Sequence, residues 1–477
     1  MGKDILYIIL AQILFIASGY AVHIGMGRIL GPERYGEFGV IMSLLAVLEV
    51  FLVRGMRETV TKYTAEFPGK TPAIKKQALK IEAIFGGILF LLFFVSAKPV
   101  ALAFHDLNLA PSLRTSAFII PLIAIYSVYI GTLSGQRMFG KRAISMNVQS
   151  LGKVAAVYFF TLLGFGLQGA IGGYIVSYVL ALIAALYLSR DTPKEDGVFS
   201  ARQLISFAIP IVIFSGALSL LMNMDIFFVK TLIKEGQAAG FYTSALALTR
   251  APYLVFYAFA ITLLPVISQL TSTNQLQEAS RYINLSLRLL LILLAPLVFF
   301  TSGLAGPIIR LFYSSRYLPA ARPLSILIFG VMFLSLLSVL AAVITGIGKP
   351  KISMALALAL LPLDFLLNLF LIPRFGLSGA AAATTLTCLA GFIVSAFFVQ
   401  KKFGRLMRGN SLLKILLSSF LLYIVTRLWP VSGWTLVPYG LGLFTSYIIL
   451  LTLLKEIRRE DLNLFRNLWV SLAKRGP

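Results

Sequence analysis

Fourteen apolar stretches of about 20 residues each, parted by short polar breaks, leave this chain few ways to fold. They run 5–28, 37–56, 81–104, 115–135, 145–165, 168–189, 204–230, 240–266, 283–303, 323–346, 352–372, 377–400, 411–429 and 434–454. A helix of that length crosses the hydrocarbon of a bilayer. There every backbone N–H and C=O must be satisfied within the protein, which leaves helices and closed barrels. Of the 477 residues 58% are hydrophobic and 13% charged, about half the charged share of a soluble domain. The expected fold is an all-α membrane protein with 14 transmembrane helices. The first run lacks a small-residue cleavage pattern and reads as a span, not a removable signal.

The chain also repeats itself. FGLQGAIGGYIVSY (165–178) matches FGLSGAAAATTLTC (375–388) at an offset of 210 residues. SGQRMFGKRAISM (134–146) resembles TGIGKPKISM (345–354), and LGPERYGEFGV (30–40) corresponds to LIKEGQAAGFY (232–242), with Gly36 over Gly240. The offset covers six spans, an even number, so the two halves have the same orientation, a parallel repeat. This gives an N-terminal six-helix lobe (1–189), a charged linker (190–203), a C-terminal six-helix lobe (204–400), and two extra helices with a basic tail (401–477). A cleft between matching halves is where transporters hold substrate.

The formal net charge is +24. Nucleic-acid binding is not implied, because the basic residues are spread through loops between spans. With the N-terminus inside, 28 Lys and Arg fall on the inner side and 11 on the outer, which predicts a cell-membrane protein with both termini cytoplasmic. The longest inner loop, 57–80, is expected to carry a short helix on the lipid headgroups. The outer loops are short, the longest being 99–116 and 304–322, and offer an extracellular enzyme little to build a site from. Cys388 stands alone and His23 and His105 lie far apart, so no disulfide or metal site is expected.

In a membrane the informative residues are ionisable ones in mid-span, which cost about 2.5–3.5 kcal/mol unless they face a cavity or a partner. Arg250 lies deep in span eight, with Tyr253 and Tyr257 on its helical face and Pro252 able to bend the helix. Its planar fork suits phosphate oxygens and the tyrosine rings suit sugars; the alternative is a structural ion pair. Span two carries Glu49, Arg54 and Arg57. Arg57 can snorkel, and Glu49 needs a counter-charge, for which an arginine across the cleft would serve. Arg28 ends span one as an anchor or a cleft residue. Asp225, close to Asn223 in span seven, is an ion or proton site, a lock or a salt-bridge partner. Asp364 and Asn368, at i and i+4 after Pro362, suit Na⁺ or a proton; Gln149 and Lys153 make a similar pair. Arg288 lies near an interface.

These features together resemble the multidrug/oligosaccharidyl-lipid/polysaccharide (MOP) superfamily, in its polysaccharide-transporter branch. The residues that carry the likeness are RILGPERYGEFGV (28–40), MDIFFVKTLIKEGQAAGFYTSALAL (224–248), IIRLFYSSRYLPAARPLSIL (308–327) and the paired FGLQGA and FGLSGA. The resemblance implies two six-helix lobes in a V-shaped bundle, two extra helices and alternating access. It also implies export of a polyprenyl-pyrophosphate-linked oligosaccharide, with Arg28, Arg54 and Arg250 in a cationic cleft. ERYGEF (33–38) departs from the aspartate and aromatic pair of the lipid II branch, and SSRY (314–317) from a glycine-containing turn.

No nucleotide motif is present, so an ion gradient or the membrane potential is expected to drive transport, with Na⁺ or H⁺ as the coupling ion and Asp225, Asp364, Asn368 and Glu49 as candidates. The expected partners are a lipid-linked glycan, membrane lipids and glycan-assembly enzymes. The alternatives are a multidrug exporter of organic cations, a membrane glycan polymerase or ligase, and a non-transporting scaffold.

Overall fold

The structure, a computed structural model, describes residues 2–190 and 198–456, apart from the side chains of 2–6, 9, 254, 255, 257, 258 and 261. Those residues are helical nearly throughout, and ten helical segments are long and apolar enough to cross a membrane. Three of the ten are bent at a glycine and hold two expected spans each. Helix α1 (Gly2–Glu49) breaks only at Gly31, where φ is 74°. Helices α6 (Phe139–Phe160) and α7 (Gly166–Leu188) meet through a π-helical turn, Thr161–Phe165. Helix α14 (Pro350–Phe403) breaks at Gly376.

The repeat is legible in these breaks. Gly166 has φ 53° and ψ −128°, and its sequence counterpart Gly376 has φ 56° and ψ −134°. A β-carbon disfavours that backbone, so glycine alone lets one span lead into the next without a loop. Three residues on, Gly169 and Gly379 again behave alike. A methyl at Gly169 would lie 2.7 Å from the Phe160 carbonyl oxygen, and one at Gly379 would overlap that of Leu371.

Several boundaries differ from the hydropathy reading. The expected inner loop 57–80 is two helical extensions. Helix α2 (Gly55–Glu66) continues span two, and α3 (Thr71–Ala103) begins ten residues before the apolar run, leaving only Phe67–Lys70 between them. Amphipathic extensions project beyond the apolar core, and hydropathy marks only the core. The outer stretches also coil into short helices, α4 (Leu109–Ala117) before α5 (Ile119–Gly135), and α12 (Ala305–Phe312) before a 3₁₀ turn at Ser315–Ala320. Span seven is discontinuous: α8 (Ala201–Leu221) ends at a turn and α9 (Met224–Leu232) restarts.

By packing, the chain divides into Met1–Gly240 and Phe241–Pro477, a cut inside the first turn of α10 (Ala238–Ser272). The repeat matches related helices whereas packing groups neighbouring ones, so α8 and α9 fall in the first unit. There Met56, Val60, Ile74, Ala78, Val128 and Leu204 form a core where α2, α3, α5 and α8 meet. The second unit holds α11 (Leu276–Gly303), α13 (Ala321–Gly346), α14, α15 (Gly409–Leu428) and α16 (Leu436–Leu453). Its core runs through Ile283, Leu290, Val298, Ile328, Leu340 and Ile415. Large apolar side chains such as Leu92, Val95, Leu162 and Phe397 stay exposed, as lipid-facing positions do.

Candidate functional site

Polar side chains in the first unit gather where α1 gives way to α2. Glu49 ends α1, and Val50–Arg54 then form a π-helical turn. Such a turn inserts one residue into the helical ladder and re-aims the side chains beyond it. Arg54 is left exposed, while Glu49 and Arg57 are half-buried. Glu49 lies within range of the charges of Arg57, Lys153 and Arg54. Those three counter-charges all belong to its own unit.

Helix α6 supplies the facing surface. Arg142, Ser145, Gln149 and Lys153 recur at three- and four-residue spacings and share one helical face about 16 Å long. Lys153 is only 4% exposed, and its Nζ stands 4.9 Å from the centroid of the Phe15 ring. The Glu49 carboxylate and that ring offset the cost of burying an ammonium. Ser145 Oγ donates to the Ala181 carbonyl at 3.2 Å and lies 3.4 Å from the Tyr126 hydroxyl. Tyr126, on α5, is in range of the charges of Arg142 and Arg57. Its ring meets Tyr178 edge-on at 6.1 Å. Tyr174 and Tyr178, one turn apart on α7, are both in range of Glu49.

Arg54, Arg57, Arg142 and Lys153 thus share a tyrosine-walled region, with Glu49 and Glu58 as the acids in range of Arg57. Cations outnumber carboxylates there. Arginine forks suit phosphate oxygens and tyrosine faces suit sugar rings. Sequence reasoning found Glu49, Arg54, Arg57, Gln149 and Lys153 but missed Arg142, Tyr126, Tyr174 and Tyr178. Tracing the α6 face two turns back from Gln149 would have reached Arg142, which instead counted among the residues that set topology.

The other expected residues lie elsewhere. Arg28 is exposed on α1, three residues before the Gly31 break, with Tyr158 in range of its charge. The Tyr158 hydroxyl donates to the Ala21 carbonyl at 2.9 Å, which holds α6 against α1. Asp225 is fully buried in the first turn of α9, where a carboxylate complements the helix dipole. Its Oδ1 accepts from the Ile226 N–H at 2.8 Å. In the second unit, Arg250 is half-buried about 18 Å along α10, with Pro252 and half-buried Tyr253 beyond it. The side chain of Tyr257 lies outside the described residues. Arg288, expected near an interface, pairs through Nε with Glu456 Oε1 at 3.1 Å.

Asp364 and Asn368 form a compact buried group with a residue the sequence did not single out, Thr387. Thr387 Oγ1 donates to Asp364 Oδ1 at 3.0 Å, and Asn368 Nδ2 donates to Asp364 Oδ2 at 3.0 Å. Asn368 Nδ2 is also 2.9 Å from the Asp364 carbonyl, while Asn368 Oδ1 is buried with no hydrogen-bond partner. Carboxylate, hydroxyl and amide oxygens are the donor set that hard cations take. Among the described residues no cluster of three His, Cys, Asp or Glu side chains is placed to hold a metal ion.

A bundle of membrane-crossing helices with a cation-rich polar group inside one unit defines a multi-pass membrane transporter, and comparison with known proteins places it in the MOP superfamily. Residues 1–271 match the family model described as polysaccharide biosynthesis protein, and residues 194–370 match the MatE model. The chain belongs to that polysaccharide biosynthesis family and is a transporter, not an enzyme. It is similar to the lipid II flippase MurJ of Bacillus subtilis, 24% identical over 88% of this chain and 84% of that protein. It is also similar to the probable low-salt glycan biosynthesis flippase Agl15 of Haloferax volcanii, 22% identical over 92% of this chain and 93% of that one. A solved structure of lipid II flippase MurJ in an inward closed conformation superposes with a TM-score of 0.78 at 17% identity, covering 94% of this chain and 99% of its own, and so shares the fold. The expected superfamily and all-helical membrane fold are borne out.

Proposed function

We propose that this protein is a flippase that exports a polyprenyl-pyrophosphate-linked oligosaccharide across the cell membrane by alternating access. The observation that carries this reading is the excess of cations over carboxylates in the tyrosine-walled region around Glu49 and Lys153. A pyrophosphate crossing about 30 Å of hydrocarbon loses its hydration, and guanidinium groups along its path replace it with charge-assisted hydrogen bonds. Relatives named as flippases support the lipid-linked substrate. We assign Arg54, Arg57, Arg250 and Arg28 to the head group and Tyr253 and Tyr257 to the sugars. In this reading the lobes at 1–189 and 204–400 alternate and both termini face the cytoplasm.

For coupling to Na⁺ or H⁺ we favour the Asp364, Asn368 and Thr387 group over Asp225 and Glu49. Asp225 Oδ1 is engaged by the start of its own helix, and Glu49 is surrounded by cations. A second reading, export of organic cations, draws on the MatE match; it calls for carboxylates where this region presents arginines.

The test is a leaflet-accessibility assay in proteoliposomes with a synthetic polyprenyl-pyrophosphate oligosaccharide. Arg250→Ala is expected to slow translocation at least about tenfold, the worth of one charged hydrogen bond. Equal rates would remove Arg250 from the head-group role. No translocation by wild type refutes the flippase, and cation export lost on Asp225→Asn favours the second reading.

A further inference from the structure

We infer that Glu82 is a proton-binding site, a carboxyl that holds a proton while enclosed among α2, α3 and α5 and gives it up when α8 parts from them and water enters. The inference rests on the ion-coupled alternating access proposed above and adds a proton site in the first unit to the Asp364 group of the second.

Glu82 stands one residue inside the apolar run that begins at 81, about 16 Å along α3. Sequence reasoning passed it over. Ile74, Ala78, Glu82 and Gly86 recur every four residues and form a buried stripe on the helix, whereas Ile84 and Phe85 are exposed. An acid thus occupies a place where the rest of the stripe is apolar. Glu82 is 2% exposed, and its Oε2 is buried with no hydrogen-bond partner. Buried polar atoms in folded proteins are rarely left so.

The packing on either side is close and apolar. One turn before Glu82, Ala78 joins the core of Met56, Val60, Val128 and Leu204, from α2, α5 and α8. One turn after it, a methyl on Gly86 would lie 2.9 Å from the Ala124 β-carbon and 3.8 Å from Leu52. The elements packed on α3 carry these titratable groups: Arg54 in the π-helical turn, Arg57, Glu58, Lys62, Tyr63 and Glu66 on α2, Lys70 before α3, Arg114 on α4, Tyr126 and Tyr129 on α5, and Arg202 on α8. Among the described residues none of these, nor any lysine of α3 itself, acts on the Glu82 carboxyl.

A carboxylate with neither counter-charge nor donor does not stay ionised in apolar surroundings. Enclosed, Glu82 is therefore the neutral acid. The step is proton transfer alone: H₃O⁺ gives its proton to the carboxylate and leaves as water, and the reverse returns it. Helix α8 begins the second repeat, so alternating access moves it against α2 and α3. It sits tightly on α2, where a methyl on Gly55 would overlap the Val212 side chain. Parting them opens the core at Ala78, one turn from Glu82.

The test uses the full chain in liposomes. Infrared spectra at neutral pH are expected to show a protonated-carboxyl band in wild type that Glu82→Gln lacks. Translocation of the synthetic polyprenyl-pyrophosphate oligosaccharide is then followed with and without a pH gradient. One proton crossing a gradient of about one pH unit is worth a factor of about ten, so the gradient is expected to shift the leaflet ratio of the glycan by up to that factor. Glu82→Gln should lose the shift and Glu82→Asp, which keeps the acid, should retain part of it. Should Glu82→Gln fail to fold, Glu82→Asp decides: a displaced band supports the site and an unmoved one overturns it. A band unchanged in Glu82→Gln, or a gradient effect that survives in it, overturns the inference. Wild type that translocates glycan and ignores the gradient overturns the inference and spares the flippase. The Glu82 band without glycan translocation supports the proton site and refutes the flippase.

Discussion

Replacing Asp364 by Asn changes one charge and almost no volume, so its effect is governed by the bonds around the side chain. The new carboxamide keeps its oxygen toward Asn368 Nδ2, which now donates to Oδ2 at 3.0 Å. Its NH₂ then faces Thr387 Oγ1, now 3.0 Å from Oδ1, which donates to the Ala383 carbonyl at 2.9 Å and so can accept. Asn368 keeps its bond to the main-chain carbonyl of residue 364. Two bonds that ended on a charge become neutral ones, a loss of about 0.5–1.5 kcal/mol. Against it stands relief from burying a carboxylate, about 2.5 kcal/mol or more. In the absence of Na⁺ the variant is therefore expected to be more stable than wild type by about 1–2 kcal/mol. Wild type should recover the difference on ion binding, gaining about 2.7 kcal/mol at a hundred times the dissociation constant. The assay is thermal unfolding of detergent-purified protein across a Na⁺ titration, repeated across pH for protons, with coupled transport measured in parallel. A variant that is destabilised without Na⁺ and still shows the wild-type ion-dependent shift would refute the reasoning.

Glu456→Ala removes the carboxylate 3.1 Å from Arg288 Nε but leaves the main-chain carbonyl of residue 456 to accept from Arg288, so the loss should be about 1.5–3 kcal/mol, the worth of one charged hydrogen bond, read as a fall in unfolding midpoint. Glu456 also accepts from Ser411, so the same change should loosen the start of α15 as measured by hydrogen exchange. Gly240→Ala drives a methyl into the Pro32 carbonyl oxygen, and Gly36→Ala puts one 2.6 Å from the Gly240 nitrogen. Each should destabilise by about 1–3 kcal/mol, while Gly87→Ala, with nothing within 4 Å of the added carbon, should be neutral or mildly stabilising. Equal effects at the three glycines would show that the close approach of Gly36 and Gly240 does not constrain the fold.

Hydropathy located the spans because burial in lipid is a property of composition over about 20 residues. It was blind to helix that continues past an apolar run, so 57–80 read as a loop although α2 and α3 run through most of it. The break in span seven was also hidden, since Met222 and Asn223 interrupt an apolar run without a proline or glycine at the turn. The candidate site was half legible. Glu49, Arg54 and Lys153 declared themselves by being charged in mid-span. Arg142 did not, because a basic residue near a helix end looks like a topology determinant.

Some features belong to the sequence alone: the membrane fold and the internal repeat. Both rest on local chemistry, on apolar length and on matching residue patterns. Tertiary structure decided which charges meet. Lys153 stands by Glu49 and Glu456 by Arg288 because helices far apart in the chain are packed side by side, and Thr387 by Asp364 because the two arms of α14 meet beyond the break at Gly376. Electrostatic and hydrogen-bond partners are set by distance in space, and sequence separation does not encode that distance.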